Sequence, residues 1–324
     1  MTASASKQKL PERPGIVFMG TPEFALPTLQ AIVQHGHRVI TVVTQPDRPK
    51  GRGKRPGMSP VKKFALERGL EVLQPEKASD PHFCEILRGR QPDLVLVVAF
   101  GQLLRQRFLD IPRWGVINIH ASLLPAYRGA APIQRAVLNG ETRTGLTVMR
   151  LDAGLDTGPI LFQEETLIGE DETAGQLHDR LAKLAGDLTI RSLRQMAEHP
   201  VEERPQDHER ATYAPKLEKE MGLVEWHRSA AQVSAFIRAF DPKPGAFTFC
   251  QGKEIKLYAS RVAPEAGGPG VPGRVRRPPG GRLYVETGEG MVEIRELQAP
   301  GRRRMPAADF LRGFQVEEGI RLGQ

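Results

Sequence analysis

Asn118 and His120 stand two residues apart at the end of the apolar run Gly115–His120. In a strand that spacing puts both side chains on one face, at the carboxyl end, where open α/β sheets bind their ligands. A carboxamide beside an imidazole can hydrogen-bond an oxygen on which negative charge builds during acyl transfer. Asp156, in the turn Gly154-Leu155-Asp156-Thr157-Gly158, is a carboxylate that could orient the ring. The competing reading of the same trio is a satisfied polar cluster at a strand end, with Asp156 bonding only its own turn.

Other chemistries lack their residues. The first turn, Gly20-Thr21-Pro22-Glu23, has one glycine in place of G-x-G-x-x-G and a glutamate where a pyrophosphate would approach, which excludes a dinucleotide site. No P-loop and no G-x-S-x-G elbow occur. Cys84 and Cys250 form no C-x-x-C pattern, and the histidines do not recur at ligand spacing, so no metal and no permanently bound cofactor are expected.

The elements that must position the trio follow from periodicity. Ile16–Met19, Arg38–Val43, Glu71–Leu73, Leu94–Val98, Gly115–His120, Thr144–Leu151 and Pro159–Glu165 read as strands alternating with helices, and Leu94–Val98 as the centre of a parallel sheet buried on both faces. Thr21 and Ser59, each followed by proline, read as helix caps, and residues 173–198 as one long amphipathic helix. After a polar stretch with Pro200, Pro205 and Pro215, one helix (Ala230–Phe240) precedes several short strands. Residues 263–281, rich in Gly and Pro, read as a loop among those strands. The expected fold class is therefore α/β: a Rossmann-like open, mainly parallel sheet followed by a small oligonucleotide-binding-like β-barrel. The expected boundaries are a disordered extension at 1–14, a catalytic domain at 15–199, a linker at 200–215 and a C-terminal domain at 216–324.

The net charge of +8 over 324 residues is concentrated. Between 47 and 55, Arg48, Lys50, Arg52, Lys54 and Arg55 face Asp47 alone. Further clusters are Arg274, Arg276 and Arg277, and Arg302, Arg303 and Arg304. Basic patches in two regions point to a polyanion longer than one phosphate; a solvated, solubilising surface is the alternative for any single patch. The longest apolar run, Leu94–Phe100, falls far below the roughly 18 residues of a membrane span, and no signal-peptide core follows the polar start. A cytoplasmic monomer is expected.

The run Asn118-Ile119-His120-Ala121-Ser122-Leu123-Leu124-Pro125, continued by Tyr127-Arg128-Gly129-Ala130-Ala131-Pro132-Ile133-Gln134, and then Gly154-Leu155-Asp156-Thr157-Gly158, resembles the signatures of the 10-formyltetrahydrofolate-dependent formyltransferases. Thr44-Gln45-Pro46-Asp47-Arg48-Pro49 with Gly51-Arg52-Gly53-Lys54 is similar to the acceptor-stem loop of the tRNA-formylating members. Phe240-Asp241-Pro242 with Pro244-Gly245-Ala246 resembles a turn in their second domain. The resemblance implies 10-formyltetrahydrofolate as co-substrate and initiator methionyl-tRNA as the partner whose α-amine is formylated. It implies that Asn118, His120 and Asp156 are catalytic, that Ser122, Leu123, Leu124 and Pro125 belong to the folate site, and that Arg48, Lys50, Arg52, Lys54 and Arg55 meet the tRNA. Glycinamide ribonucleotide as the acceptor, or a non-catalytic RNA-binding role, are the rival readings.

Overall fold

Apolar runs without polar interruption become strands covered on both faces. The computed structural model describes residues 9–50, 55–264, 270–314 and 316–323. In chain order its elements begin with β1 (Ile16–Gly20), α1 (Leu26–Gln34), β2 (Val39–Val43), β3 (Arg48–Lys50), β4 (Arg55–Gly57), α2 (Pro60–Glu67), β5 (Val72–Leu73) and α3 (Pro81–Gly89). There follow β6 (Leu94–Val98), α4 (Gln106–Leu109), β7 (Val116–His120), α5 (Pro132–Leu138), β8 (Arg143–Arg150), β9 (Ile160–Leu167) and α6 (Ala174–Glu198). Seven of the strands form one sheet in the order β5-β2-β1-β6-β7-β8-β9. Pairing is parallel from β5 to β7, and β8 runs antiparallel to β7. Every residue of β1 and β6 is buried. Phe83, Cys84 and Leu87 of α3 pack with Val95, Val97, Phe100 and Phe108 in one core cluster.

The rest of the chain carries α7 (Ala230–Phe240), β10 (Ala246–Cys250), β11 (Lys253–Val262), β12 (Val275–Arg276), β13 (Leu283–Glu286), β14 (Met291–Gln298), β15 (Met305–Pro306) and α8 (Ala307–Gly313). Its strands make a six-stranded antiparallel sheet, β10-β11-β14-β13-β12 with β15 on β14. This is the small β-domain that short strands and turns predicted. Ser229 caps α7 in a reciprocal box with Gln232, as S-x-x-Q at a helix start requires. Of the Gly- and Pro-rich stretch 263–281, residues 265–269 lie outside the described residues.

Several expectations need correction. Thr21 does not cap a helix: a short turn starts after Pro22 without a side-chain cap, and the Thr21 hydroxyl accepts from the Gln45 amide at 3.1 Å instead. Ser59 does cap α2, accepting from the Lys62 amide. The lead-in is not disordered throughout. Residues 1–8 lie outside the described residues, but Leu10 is buried and its amide donates to the Met196 carbonyl. By packing, the described residues also divide into two compact units that interleave along the chain. One comprises Met1–Ala130, Gly145–Thr166 and His178–Ala214; the other comprises Ala131–Thr144, Leu167–Leu177 and Pro215–Gln324. The stretch read as a linker thus belongs almost wholly to the first unit.

The arginine clusters of the second unit are partly committed to internal pairs. Arg274 and Arg276 both bond the buried Glu286 carboxylate. Burial alone would raise that carboxyl, but Arg274, the Val271 amide and Arg276 together hold it below its usual range. Arg304 forks onto Asp241 at 2.6 and 3.0 Å, while its guanidinium lies 4.3 Å from the Tyr258 ring centroid. Arg302 and Arg303 remain exposed. Bidentate pairs of this kind are strong, and truncating Arg304 leaves a carboxylate that is 3% exposed without its cation, although the Ala259 amide still donates to it. Arg304→Ala is expected to cost about 2–3 kcal/mol, read as a lower urea midpoint for the second unit's transition.

Candidate active site

β7 delivers Asn118 and His120 as the alternation requires. Asn118 pairs with Val97 of β6 on one side and Met149 of β8 on the other, so its Cα is fixed between two strands. His120 closes the strand and is buried. Its Nε2 lies 2.9 Å from the Tyr127 carbonyl oxygen. A carbonyl only accepts, so that nitrogen carries a proton and Nδ1 of the neutral ring is an acceptor. Nδ1 lies 3.7 Å from Asp156 Oδ2.

Asp156 comes from the turn between β8 and β9. It sits at φ +52°, a left-handed conformation that Asp tolerates better than most residues. The same Oδ2 accepts the Gly129 amide at 2.8 Å, so the carboxylate is anchored on one side and turned to His120 on the other. The three residues read as one catalytic group from the sequence therefore come from elements that meet at the carboxyl end of β7.

The loop after His120 is held from within. Ser122 is fully buried, and its hydroxyl donates to the Ala126 carbonyl at 2.6 Å. Thr147 donates to the Ser122 carbonyl at 2.7 Å and accepts from the Leu124 amide at 3.1 Å; Gln163 donates to the Leu124 carbonyl at 2.9 Å. Ser122 and Leu124 are thus spent on shaping the loop, and Leu123 and Pro125, both half-buried, carry its accessible surface. β8 lies close beneath. A Cβ on Gly145 would stand 2.1 Å from the Glu164 carbonyl oxygen and 2.6 Å from Leu123 Cδ2, which explains the glycine in the strand.

The basic segment is a short hairpin. β3 and β4 pair antiparallel, with Lys50 opposite Arg55 and Arg48 opposite Gly57. Arg48 is exposed; Arg52 and Lys54 lie outside the described residues. The base of the hairpin is pinned to the core. Lys62 bonds Asp47 at 2.5 Å and Gln74 at 2.7 Å, Gln74 donates to the Gln45 carbonyl, and Gln45 donates to the Phe100 carbonyl. Lys62 and Gln74 hold the Asp47 carboxyl below its usual range. The one acid of the segment is thereby engaged with Lys62, outside the hairpin.

Sequence reasoning gave Arg128 no role beyond its place in the motif, and missed Gln206. Arg128 is 2% exposed and bonds Gln206 Oε1 through Nε at 3.1 Å and Nη2 at 2.7 Å. Gln206 sits in the stretch read as a linker, where a lone carboxamide among prolines and charged residues was the only signal. That stretch is sewn to the site: Arg204 and Ile160 exchange backbone hydrogen bonds, and Thr212 and Ala214 pair with Arg128. Among the described residues no cluster of three or more His, Cys, Asp or Glu could hold a metal ion, and no helix is long and apolar enough to cross a membrane.

The family models for formyl transferase and for the formyl transferase C-terminal domain match residues 15–193 and 216–315. A methionyl-tRNA formyltransferase of Geobacter sulfurreducens is 50% identical over 95% of this chain and 96% of its own length. That of Syntrophus aciditrophicus is 48% identical over 95% and 98%. Among solved structures, HypX from Aquifex aeolicus in complex with tetrahydrofolic acid superposes with a TM-score of 0.65 at 17% identity, covering 95% of this chain and 49% of that one. WlaRD, a sugar 3N-formyl transferase, gives 0.66 at 20% identity over 90% and 100%. These two likenesses are of fold.

Proposed function

The chain belongs to the formyl transferase family, and from that premise we propose that it transfers the formyl group of 10-formyltetrahydrofolate to the α-amine of methionine on initiator methionyl-tRNA. The observation that carries the chemistry is the buried imidazole at the end of β7, fixed at Nε2 by the Tyr127 carbonyl and faced at Nδ1 by Asp156. Similarity across nearly the whole chain to methionyl-tRNA formyltransferases supports the acceptor.

In this reading the neutral amine attacks the formyl carbon. As the C–N bond forms, negative charge grows on the formyl oxygen; the Asn118 carboxamide donates to it, and His120 donates once Nδ1 has taken the amine's proton, a charge that Asp156 favours. The bond from the formyl carbon to folate N10 then breaks, and the proton lost by the amine passes to N10, relayed through His120 and Asp156. Products are N-formylmethionyl-tRNA and tetrahydrofolate. No covalent enzyme intermediate is needed. The folate lies against the Ser122–Pro125 loop, with Leu123 and Pro125 offering the surface. The test is direct: with 10-formyltetrahydrofolate, the purified protein should formylate charged initiator tRNA and leave glycinamide ribonucleotide unmodified. Formylation of the ribonucleotide alone would overturn the acceptor assignment.

The tRNA meets Arg48, Lys50, Arg52, Lys54 and Arg55 of the basic segment, so its binding should fall steeply with salt while folate binding changes little. Arg52→Ala is expected to weaken tRNA binding about 3–10-fold and flatten the log–log salt slope by about one, with folate affinity unchanged. Filter binding across a salt series reads both quantities. An equal loss for the two ligands would contradict the assignment.

A further inference from the structure

The Gly154–Gly158 turn is clamped from the stretch that follows α6. Gln206 is 6% exposed and uses both ends of its carboxamide. Nε2 donates to the Asp156 carbonyl at 2.9 Å and to the Gly158 carbonyl at 2.7 Å; Oε1 accepts twice from Arg128. Carbonyls only accept and a guanidinium only donates, so the partners fix the orientation of the amide without ambiguity. Only a carboxamide can satisfy both sets at once. The turn has little freedom at its far end. A Cβ on Gly158 would stand 2.0 Å from the Arg150 carbonyl oxygen. Asp156 itself rests at φ +52°, a conformation that persists only when its surroundings determine it.

We propose that Gln206 is a positioning residue for formyl transfer: its carboxamide ties the buried Arg128 guanidinium to the Gly154–Gly158 turn and so sets the Asp156 carboxylate against His120. The proposal rests on the formyl-transfer reading above. It makes the passage towards the C-terminal domain part of the catalytic apparatus. Arg128 is the fixed post of the clamp, since its backbone is also paired with Thr212 and Ala214.

Gln206→Glu separates this role from a merely structural one. Glutamate keeps acceptors for Arg128, and strengthens that contact with charge, but loses both donors to the turn. The variant should fold but melt several degrees below the wild type, because two carbonyls lose their donor; it should keep KM for both substrates within about twofold and lose kcat about 10–100-fold, as orienting partners of reactive groups do. In an Asp156→Asn background the same substitution should add almost no further loss, because both act through one carboxylate. Wild-type kcat in Gln206→Glu, or a full multiplicative loss on Asp156→Asn, would overturn the proposal while the wild-type enzyme still formylated tRNA. A wild-type enzyme inert in that assay would instead remove the reading on which the proposal stands.

Discussion

His120→Ala is expected to lower kcat for formylation of initiator methionyl-tRNA by about 10²–10³, the usual loss of one donor to a developing oxyanion. KM for both substrates should change little, because the lost interaction is made only as charge appears on the formyl oxygen. The variant still folds. Removing a buried ring leaves the Tyr127 carbonyl without its partner at Nε2, a cost of about 1–3 kcal/mol that a chain of this size withstands. Asn118→Ala should show the same split between kcat and KM. Single-turnover formylation on protein whose circular dichroism melt is intact measures the effect free of product release. Near wild-type turnover from His120→Ala would remove the imidazole from the chemistry.

Most of the first sheet was legible because each of its central strands is an unbroken apolar run. Leu94–Val98 is buried at every position, as a β-branched run covered on both faces of a parallel sheet must be. Asn118 and His120 were legible for a related reason: alternation along a strand is a rigid rule, and the carboxyl end is where such sheets hold ligands. Asp156 required more. Nothing in its five-residue turn says which way the carboxylate points, and its bond to the Gly129 amide spans 27 positions of sequence.

What stayed hidden depends on pairing between distant polar residues. Gln206 lies among prolines and charges that read as a linker by composition, yet its amide is buried because Arg128, also buried, needs an acceptor. Such mutual satisfaction has no local signature. The arginine clusters failed in the opposite direction. Composition counted Arg274, Arg276 and Arg304 as free positive charge, whereas Glu286 and Asp241 take them up, so the charge open to a polyanion in that unit rests more on Arg302 and Arg303. The basic segment differs in one respect: its one acid, Asp47, pairs with Lys62 of α2, outside the segment.

Asp156→Asn decides between the two readings that these residues allowed from the start. Asparagine adopts the left-handed conformation at least as readily as aspartate, and its carbonyl oxygen can still accept the Gly129 amide, so the turn and its clamp survive. What disappears is the negative charge 3.7 Å from His120 Nδ1. A carboxylate that orients and supports a catalytic imidazole is worth about 10²–10⁴ in turnover, and kcat should fall by that amount while the melt and both KM values hold. Asp156→Ala differs in one further respect, since it also strands the Gly129 amide; it should lose the same turnover and some stability besides. Were Asp156 only a turn former, the order would reverse: asparagine would be silent and alanine would cost stability alone. The ratio of the two variants' kcat values, set beside their melting temperatures, therefore separates a charge that acts on His120 from one that serves its own loop.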